Sequence, residues 1–171
     1  EIKKPLVSYY EHNKLESGPK IVRRIQEGET CVLVSDAGSP AISDPGEDLV
    51  RLCAEAGLTV CAIPGPCALV TALSISGLPT GRFCFEGFLS INKKSRQEHL
   101  SGLKNECRTM IFYEAPHKLL ATLKDMAATF GEDRRVSLCR ELTKLHEEVI
   151  RTTLGEANAY YRTCENIKGE F

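Results

Sequence analysis

Short apolar runs alternate with helix-period patterns along the whole chain. In the first part, Leu6–Tyr10, Cys31–Val34 and Leu58–Ile63 predict strands. Cys31–Val34 is a continuous apolar run, as expected of a strand buried on both faces, and Leu58–Ile63 predicts another buried strand. Between them, Ser17 can cap a helix through Glu27, with Ile21, Val22 and Ile25 on one face and Gly28 as its stop. Asp44-Pro45-Gly46-Glu47 has the order of an N-cap, a first-turn Pro and a capping-box acid, and predicts a helix to Ala56. Pro64-Gly65-Pro66 marks a tight turn into a small-residue helix over Cys67–Ser76.

The second part repeats the alternation. Phe83–Phe88, Thr109–Tyr113, Val136–Arg140 and Val149–Thr153 predict strands. Asn92–Arg96 reads as a basic loop before a polar helix to Lys104. Pro116 opens a helix with Leu119, Leu120, Leu123, Met126 and Phe130 on one face, and Gly155–Arg162 predicts another. This strand–helix alternation predicts an α/β fold with largely parallel sheets. Leu78-Pro79-Thr80-Gly81 marks a hinge, so two α/β subdomains are expected, 1–79 and 80–171. The opening Glu1-Ile2-Lys3-Lys4 and the strand-like Gly169-Glu170-Phe171 suggest a chain truncated at both ends.

Composition narrows the functions. The 171 residues carry 22 basic and 23 acidic side chains, so any nucleic-acid contact must be a local patch. The eight cysteines form no C-x-x-C pair, which disfavours a zinc site, and no metal is expected. Cys31, Cys53, Cys61 and Cys84 lie in apolar runs, where a free thiol packs as a small hydrophobe. A reduced, cytoplasmic protein is expected. No apolar run is long enough to cross a bilayer, and no membrane partner is expected.

The candidate chemistry sits where strands end. In Val32–Gly46, Asp36-Ala37-Gly38 follows an apolar run, and the stretch contains neither Lys nor Arg. Ligands of open α/β sheets bind at such strand ends. Without a cation the loop suits a neutral or cationic ligand better than a phosphate, and it is neither a P-loop nor a G-x-G-x-x-G loop. Asp36 can equally serve an Asx-turn, and Asp44 a helix cap. Pro64-Gly65-Pro66, with Ala68 just beyond, offers small residues against which a ligand can lie. Tyr113 can stack on a flat ring, and Glu114 and His117 form a candidate acid/base pair, although His117 also suits a solvated first turn. Glu11 and His12 also follow a predicted strand and are held in reserve. Glu141 and Thr143 follow a later strand in the same way. Lys93-Lys94-Ser95-Arg96 is a basic patch or simply a solvated face.

With these residues in view, the chain resembles a known family. V-S-D-A-G-S-P-A-I-S-D-P-G, I-P-G-P-C-A-L-V-T-A-L, Y-E-A-P-H-K and R-E-L-T-K are similar to the bacterial 16S rRNA (cytidine-2′-O)-methyltransferases, in the tetrapyrrole-methylase-like class. The resemblance runs from Ser8 to Phe171. It implies two α/β subdomains with S-adenosyl-L-methionine in the cleft between them, a further strand and cofactor loop before this sequence, and a last strand after it. It implies a cytoplasmic homodimer acting on 16S rRNA or the small ribosomal subunit. Asp36, Ala37, Gly38, Pro64, Gly65, Pro66, Ala68 and Tyr113 are then cofactor residues. Glu114 and His117 are candidate catalytic residues. Lys93, Lys94, Arg96, Lys118 and Lys144 are candidate RNA contacts. Two alternatives remain open: a corrin or porphyrin methyltransferase of the same fold, and a non-catalytic RNA-binding fragment.

Overall fold

The computed structural model describes residues 3–171. Contacts divide the chain into two compact units, Glu1–Cys67 and Ala68–Phe171.

In the first unit, helices α1 (Lys14–Gln26) and α2 (Glu47–Glu55) pack through Ile21, Leu49 and Cys53. Tyr9, Leu33 and Leu58 cover this small core. The three strands expected here are corrected: none of Leu6–Tyr10, Cys31–Val34 or Leu58–Ile63 joins a ladder among the described residues. Apolar content alone does not make a strand, because each needs a partner for its backbone groups. Only the Leu33 side of the second run meets the core, while Val32 is 73% exposed. Cys31 and Cys61 are likewise exposed and not packed. Helix α1 begins four residues earlier than its expected first turn, after Asn13, whose Oδ1 accepts from Tyr10 N–H at 2.8 Å. The expected Asp44 cap is also corrected. Gly46 is the N-cap of α2, at φ 137°, and makes no side-chain cap bond.

The second unit is more regular. Helix α3 (Ala68–Ile75) precedes β1 (Phe83–Phe88), α4 (Lys93–Gly102), β2 (Thr109–Tyr113), α5 (Leu119–Phe130), β3 (Arg135–Arg140), β4 (Glu148–Thr153) and α6 (Leu154–Arg162). Strands β1 and β2 pair in parallel, with a bulge between Phe85 and Gly87, where Gly87 takes φ 63° at little steric cost. Strands β3 and β4 form an antiparallel pair. The end of the chain touches both sheets. Phe171 exchanges two backbone hydrogen bonds with Glu114, just past β2, at 3.0 and 3.3 Å. Glu141, just past β3, donates its N–H to the Glu170 carbonyl at 3.0 Å. Leu123 and Met126 of α5, Leu138 of β3, and Ala157 and Tyr161 of α6 share one core with Leu100 of α4.

The basic run Lys93–Arg96 is a helix start and not a loop. Asn92 caps it, its Oδ1 accepting from Ser95 N–H at 3.2 Å. Helical spacing then puts Arg96 and Leu100 on the buried face and leaves Lys93 and Lys94 outside.

Candidate functional site

In the first unit the two glycine-bearing loops meet. Ser39 N–H donates to the Pro66 carbonyl at 2.9 Å, and the Ser39 hydroxyl reaches the same oxygen at 3.2 Å. The Ser35 hydroxyl bonds back to the Gly38 carbonyl at 2.9 Å, which fixes the turn around Asp36 and Ala37. Gly38 sits at φ 79°, and a Cβ there would lie 3.1 Å from the Pro66 oxygen. A Cβ on Gly65 would lie 3.2 Å from the Ser39 hydroxyl. Both close approaches therefore depend on missing side chains. Asp36, Ala37, Gly38, Pro64, Gly65 and Pro66 are all exposed, so their polar atoms can face a ligand.

Backbone strain continues past this loop. Ala41 and Ser43 take φ 68° and 60°, in the left-handed region that L-residues rarely adopt. A recess beside them is lined by Glu11, Lys14 and residues 43–48, and it includes neither 36–38 nor 64–66. Burial, then the Asp48 carboxylate, push the Tyr9 phenol up to about 12. Among the described residues no cluster of three or more His, Cys, Asp or Glu could hold a metal.

In the second unit, Ala68 opens α3 and is exposed. The Tyr113 hydroxyl accepts from Leu69 N–H, one of the unsatisfied donors of that helix start, at 3.0 Å. Its ring meets Phe85 and Phe88 edge-on, with centroids 5.0 and 5.5 Å away. Tyr113 is thus a bracket between β2 and the residue after Ala68.

Glu114 is 6% exposed and fully engaged. Its carboxylate accepts from Ala115 N–H at 2.8 Å and from the Thr122 hydroxyl at 2.6 Å, and it pairs with Lys118 Nζ at 2.9 Å. Such a carboxylate is ill placed to take a proton from an incoming substrate. His117 is exposed, in the turn before α5.

Of the five cations expected to contact RNA, three are committed elsewhere. Arg96 is 8% exposed. Its Nε and Nη2 each lie 2.8 Å from Asp125 Oδ2, and its Nη1 donates to the Ser90 and Ile91 carbonyls at 3.2 Å. Lys118 is held by Glu114 and donates to the Leu89 carbonyl at 3.3 Å. Lys144 pairs with Glu141 at 3.0 Å and Glu170 at 2.7 Å, and the Lys144 ammonium holds the Glu141 carboxyl below its ordinary value. Glu141 and Thr143 adopt φ 50° and 65° in this turn. Lys93 and Lys94 remain exposed, and Lys94 makes only a 3.9 Å pair with Glu98.

Sequence reasoning missed Ser35, Ser39, Thr122 and Asp125. Ser39 had one signal, its place beside Gly38. Asp125 had none, because its partner is 29 residues away.

The loops and strands match a family profile, Tetrapyrrole (Corrin/Porphyrin) Methylases, over residues 3–158, and the chain belongs to that family. Among curated proteins it is 49% identical over 171 residues to ribosomal RNA small subunit methyltransferase I of a Synechocystis strain, covering 100% of this chain and 61% of that protein. The proteins of the same name from Halalkalibacterium halodurans and Escherichia coli are 52% and 48% identical, over 100% and 96% of this chain and 58% of each relative. The chain therefore spans about three-fifths of the length of these relatives. A crystal structure of the methyltransferase CobJ matches with a TM-score of 0.63 at 18% identity, over 92% of this chain and 69% of that one, and shows the same α/β fold.

Proposed function

We propose that this chain is the greater part of an S-adenosyl-L-methionine-dependent methyltransferase that methylates a cytidine ribose 2′-oxygen in 16S rRNA. The observation that carries this reading is the end-to-end likeness, at 46–52% identity, to proteins named as small-subunit rRNA methyltransferases. The reading implies a cytoplasmic enzyme working as a homodimer on the small ribosomal subunit.

The residues present fit such a cofactor. The close contact of the two loops at Gly38 and Gly65 leaves little room for a Cβ, and the stretch Val32–Gly46 contains the exposed Asp36 carboxylate but no Lys or Arg. That set suits a cationic, phosphate-free ligand. When bound, S-adenosyl-L-methionine supplies a methyl group already activated on a sulfonium. Asp36, Ala37 and Gly38, with Pro64, Gly65 and Pro66, would hold it largely through backbone atoms. Within the second unit, Tyr113 holds the helix start that Ala68 opens. This chain's main contribution is orientation, which can supply roughly 7–11 kcal/mol of a barrier. His117 is the better candidate to accept the 2′-hydroxyl proton, a role that can add about 10²–10⁴-fold. Glu114 acts one step back, by holding Lys118 and the turn that carries His117. Lys93 and Lys94 would meet phosphates and position the RNA.

A second reading has its own support, since the family description names corrin and porphyrin methylases. One experiment separates them: incubation with radiolabelled methyl donor and either small ribosomal subunits or a corrin or porphyrin acceptor. Alkali-resistant label in 16S rRNA, diagnostic of 2′-O-methylation, is the expected result. Label in the tetrapyrrole alone would replace this reading with the second.

A further inference from the structure

The turn after β1 joins features that neither the fold nor the cofactor loops need. Phe88, its last strand residue, is 55% exposed, although Leu89 beside it is 2% exposed and anchored in the core. Ile91, two residues on, is 79% exposed. The exposed Ser90 and Asn92 follow, then the exposed Lys93 and Lys94. An aromatic ring and two exposed ammonium groups, Lys94 with only a 3.9 Å pair to Glu98, thus lie within seven residues of chain.

The segment is also held rigid. Arg96 donates to the carbonyls of Ser90 and Ile91 while anchored to Asp125. Asn92 N–H donates to the Ser90 hydroxyl at 3.2 Å. The Phe88 ring is fixed on one side by the Tyr113 edge, with centroids 5.5 Å apart. Lys118 Nζ sits over it, 5.6 Å from the centroid, and Glu114 and the Leu89 carbonyl hold that ammonium in place. A cation over a ring polarises it. The ring is therefore fixed in place while more than half of the residue faces solvent.

A half-exposed phenylalanine costs free energy in water, and a fixed one loses little entropy on meeting a partner. A flat ring beside two exposed cations is complementary to one chemistry in particular: an unpaired nucleobase with phosphates on either side. We propose that Phe88 is the stacking platform for an unpaired base of the RNA substrate, with Lys93 and Lys94 contacting the adjacent phosphates. This rests on the rRNA reading above and adds to it the residue that receives a base. The Arg96–Asp125 pair is then a positioning device for the platform and not itself an RNA contact.

The test uses a fluorescein-labelled single-stranded RNA of about twelve nucleotides, within the span one such groove covers. Anisotropy titrations compare the parent chain with Phe88→Leu, Phe88→Trp and the Lys93→Ala/Lys94→Ala pair. Phe88→Leu keeps the apolar contact but removes the π face. It should weaken binding roughly 5- to 150-fold, the range seen when one base–aromatic stack is removed. Phe88→Trp should bind at least as well as the parent. The lysine pair should lower the slope of log K against log salt by about 1.4. Thermal unfolding checks that Phe88→Leu remains folded. Equal RNA affinity in parent and Phe88→Leu would overturn the platform and leave the methyl-transfer assay standing. A change of oligomeric state in Phe88→Leu, with RNA affinity unchanged, would overturn it in favour of a contact between copies. No RNA binding by the parent would overturn the platform and leave the rRNA reading to the methyl-transfer assay.

Discussion

Removing the Asp125 carboxylate should be among the most damaging single changes in the second unit. Asp125 and Arg96 are each 8% exposed. Two guanidinium nitrogens meet one carboxylate oxygen at 2.8 Å, and Gln97 Nε2 donates to the other at 3.3 Å. Asp125→Ala leaves a buried guanidinium with only two carbonyls for partners. Breaking a buried pair from one side costs about 3–5 kcal/mol. A unit of this size loses about 4–8 °C per kcal/mol, so its unfolding midpoint should fall by at least about 12 °C. Removing both charges is a different perturbation. Arg96→Met/Asp125→Leu replaces the pair by apolar groups of similar volume and should recover most of the loss. Urea unfolding of parent, both singles and the double closes a mutant cycle. A loss below about 1 kcal/mol for Asp125→Ala, or a double variant no better than the worse single, would refute the reasoning.

Other expectations follow from single contacts. Glu114→Gln should destabilise by about 1.5–3 kcal/mol in denaturant titration, because a charged acceptor of three donors is lost; a 10²-fold rate loss with unchanged stability would instead make Glu114 a proton acceptor. Tyr161 has a buried hydroxyl without a hydrogen-bond partner, and burial, then the Glu148 carboxylate, push it up to about 12. Tyr161→Phe should therefore stabilise by about 1 kcal/mol. Because the folded value lies above the ordinary tyrosine value of 10.0, ionisation of this buried phenol opposes folding: stability is unaffected below that pH and falls as pH rises from there through about 12. The parent should lose stability over that window, and Tyr161→Phe should lose less of it. The Glu106 carboxyl, held down to about 2 by the Arg108 guanidinium, has the opposite sign: its contribution is present above 4.5 and disappears as pH falls through about 2, which NMR titration of its side chain can follow. Gly38→Ala forces a β-carbon into the left-handed region, at a cost of roughly 1–2 kcal/mol, and against the Pro66 carbonyl. Calorimetry should show its S-adenosylhomocysteine affinity reduced at least tenfold.

The second unit was legible because its segments carry their partners with them. Phe83–Phe88 and Thr109–Tyr113 are strands over the expected residues, and each completes the other's ladder. The first unit shows the converse. The apolar runs Cys31–Val34 and Leu58–Ile63 report what a segment tends to bury, and no described strand pairs with them. The Ser-Asp-Ala-Gly and Pro-Gly-Pro stretches pointed to two ligand loops, but their direct contact depends on Ser39 and Pro66, separated by 27 residues. The basic run misled because composition ignores helical phase: Lys93 and Lys94 face out, while Arg96, two residues on, turns inward to a carboxylate on another helix. Glu114 carries a related ambiguity. Its place after a strand fits a catalytic acid or base equally well as an acceptor for Thr122 and Lys118, and its contacts become visible only in the packed structure.

We assign the methyl donor to the joined loops Asp36–Gly38 and Pro64–Pro66. The most direct test is titration of S-adenosylhomocysteine into the isotope-labelled chain, followed by amide NMR. Saturable shifts should centre on Asp36, Ala37, Gly38 and Gly65 and be abolished by Gly38→Ala. Saturable shifts centred on the recess at Glu11 and Asp44 instead, or no saturable shift at all, would contradict it.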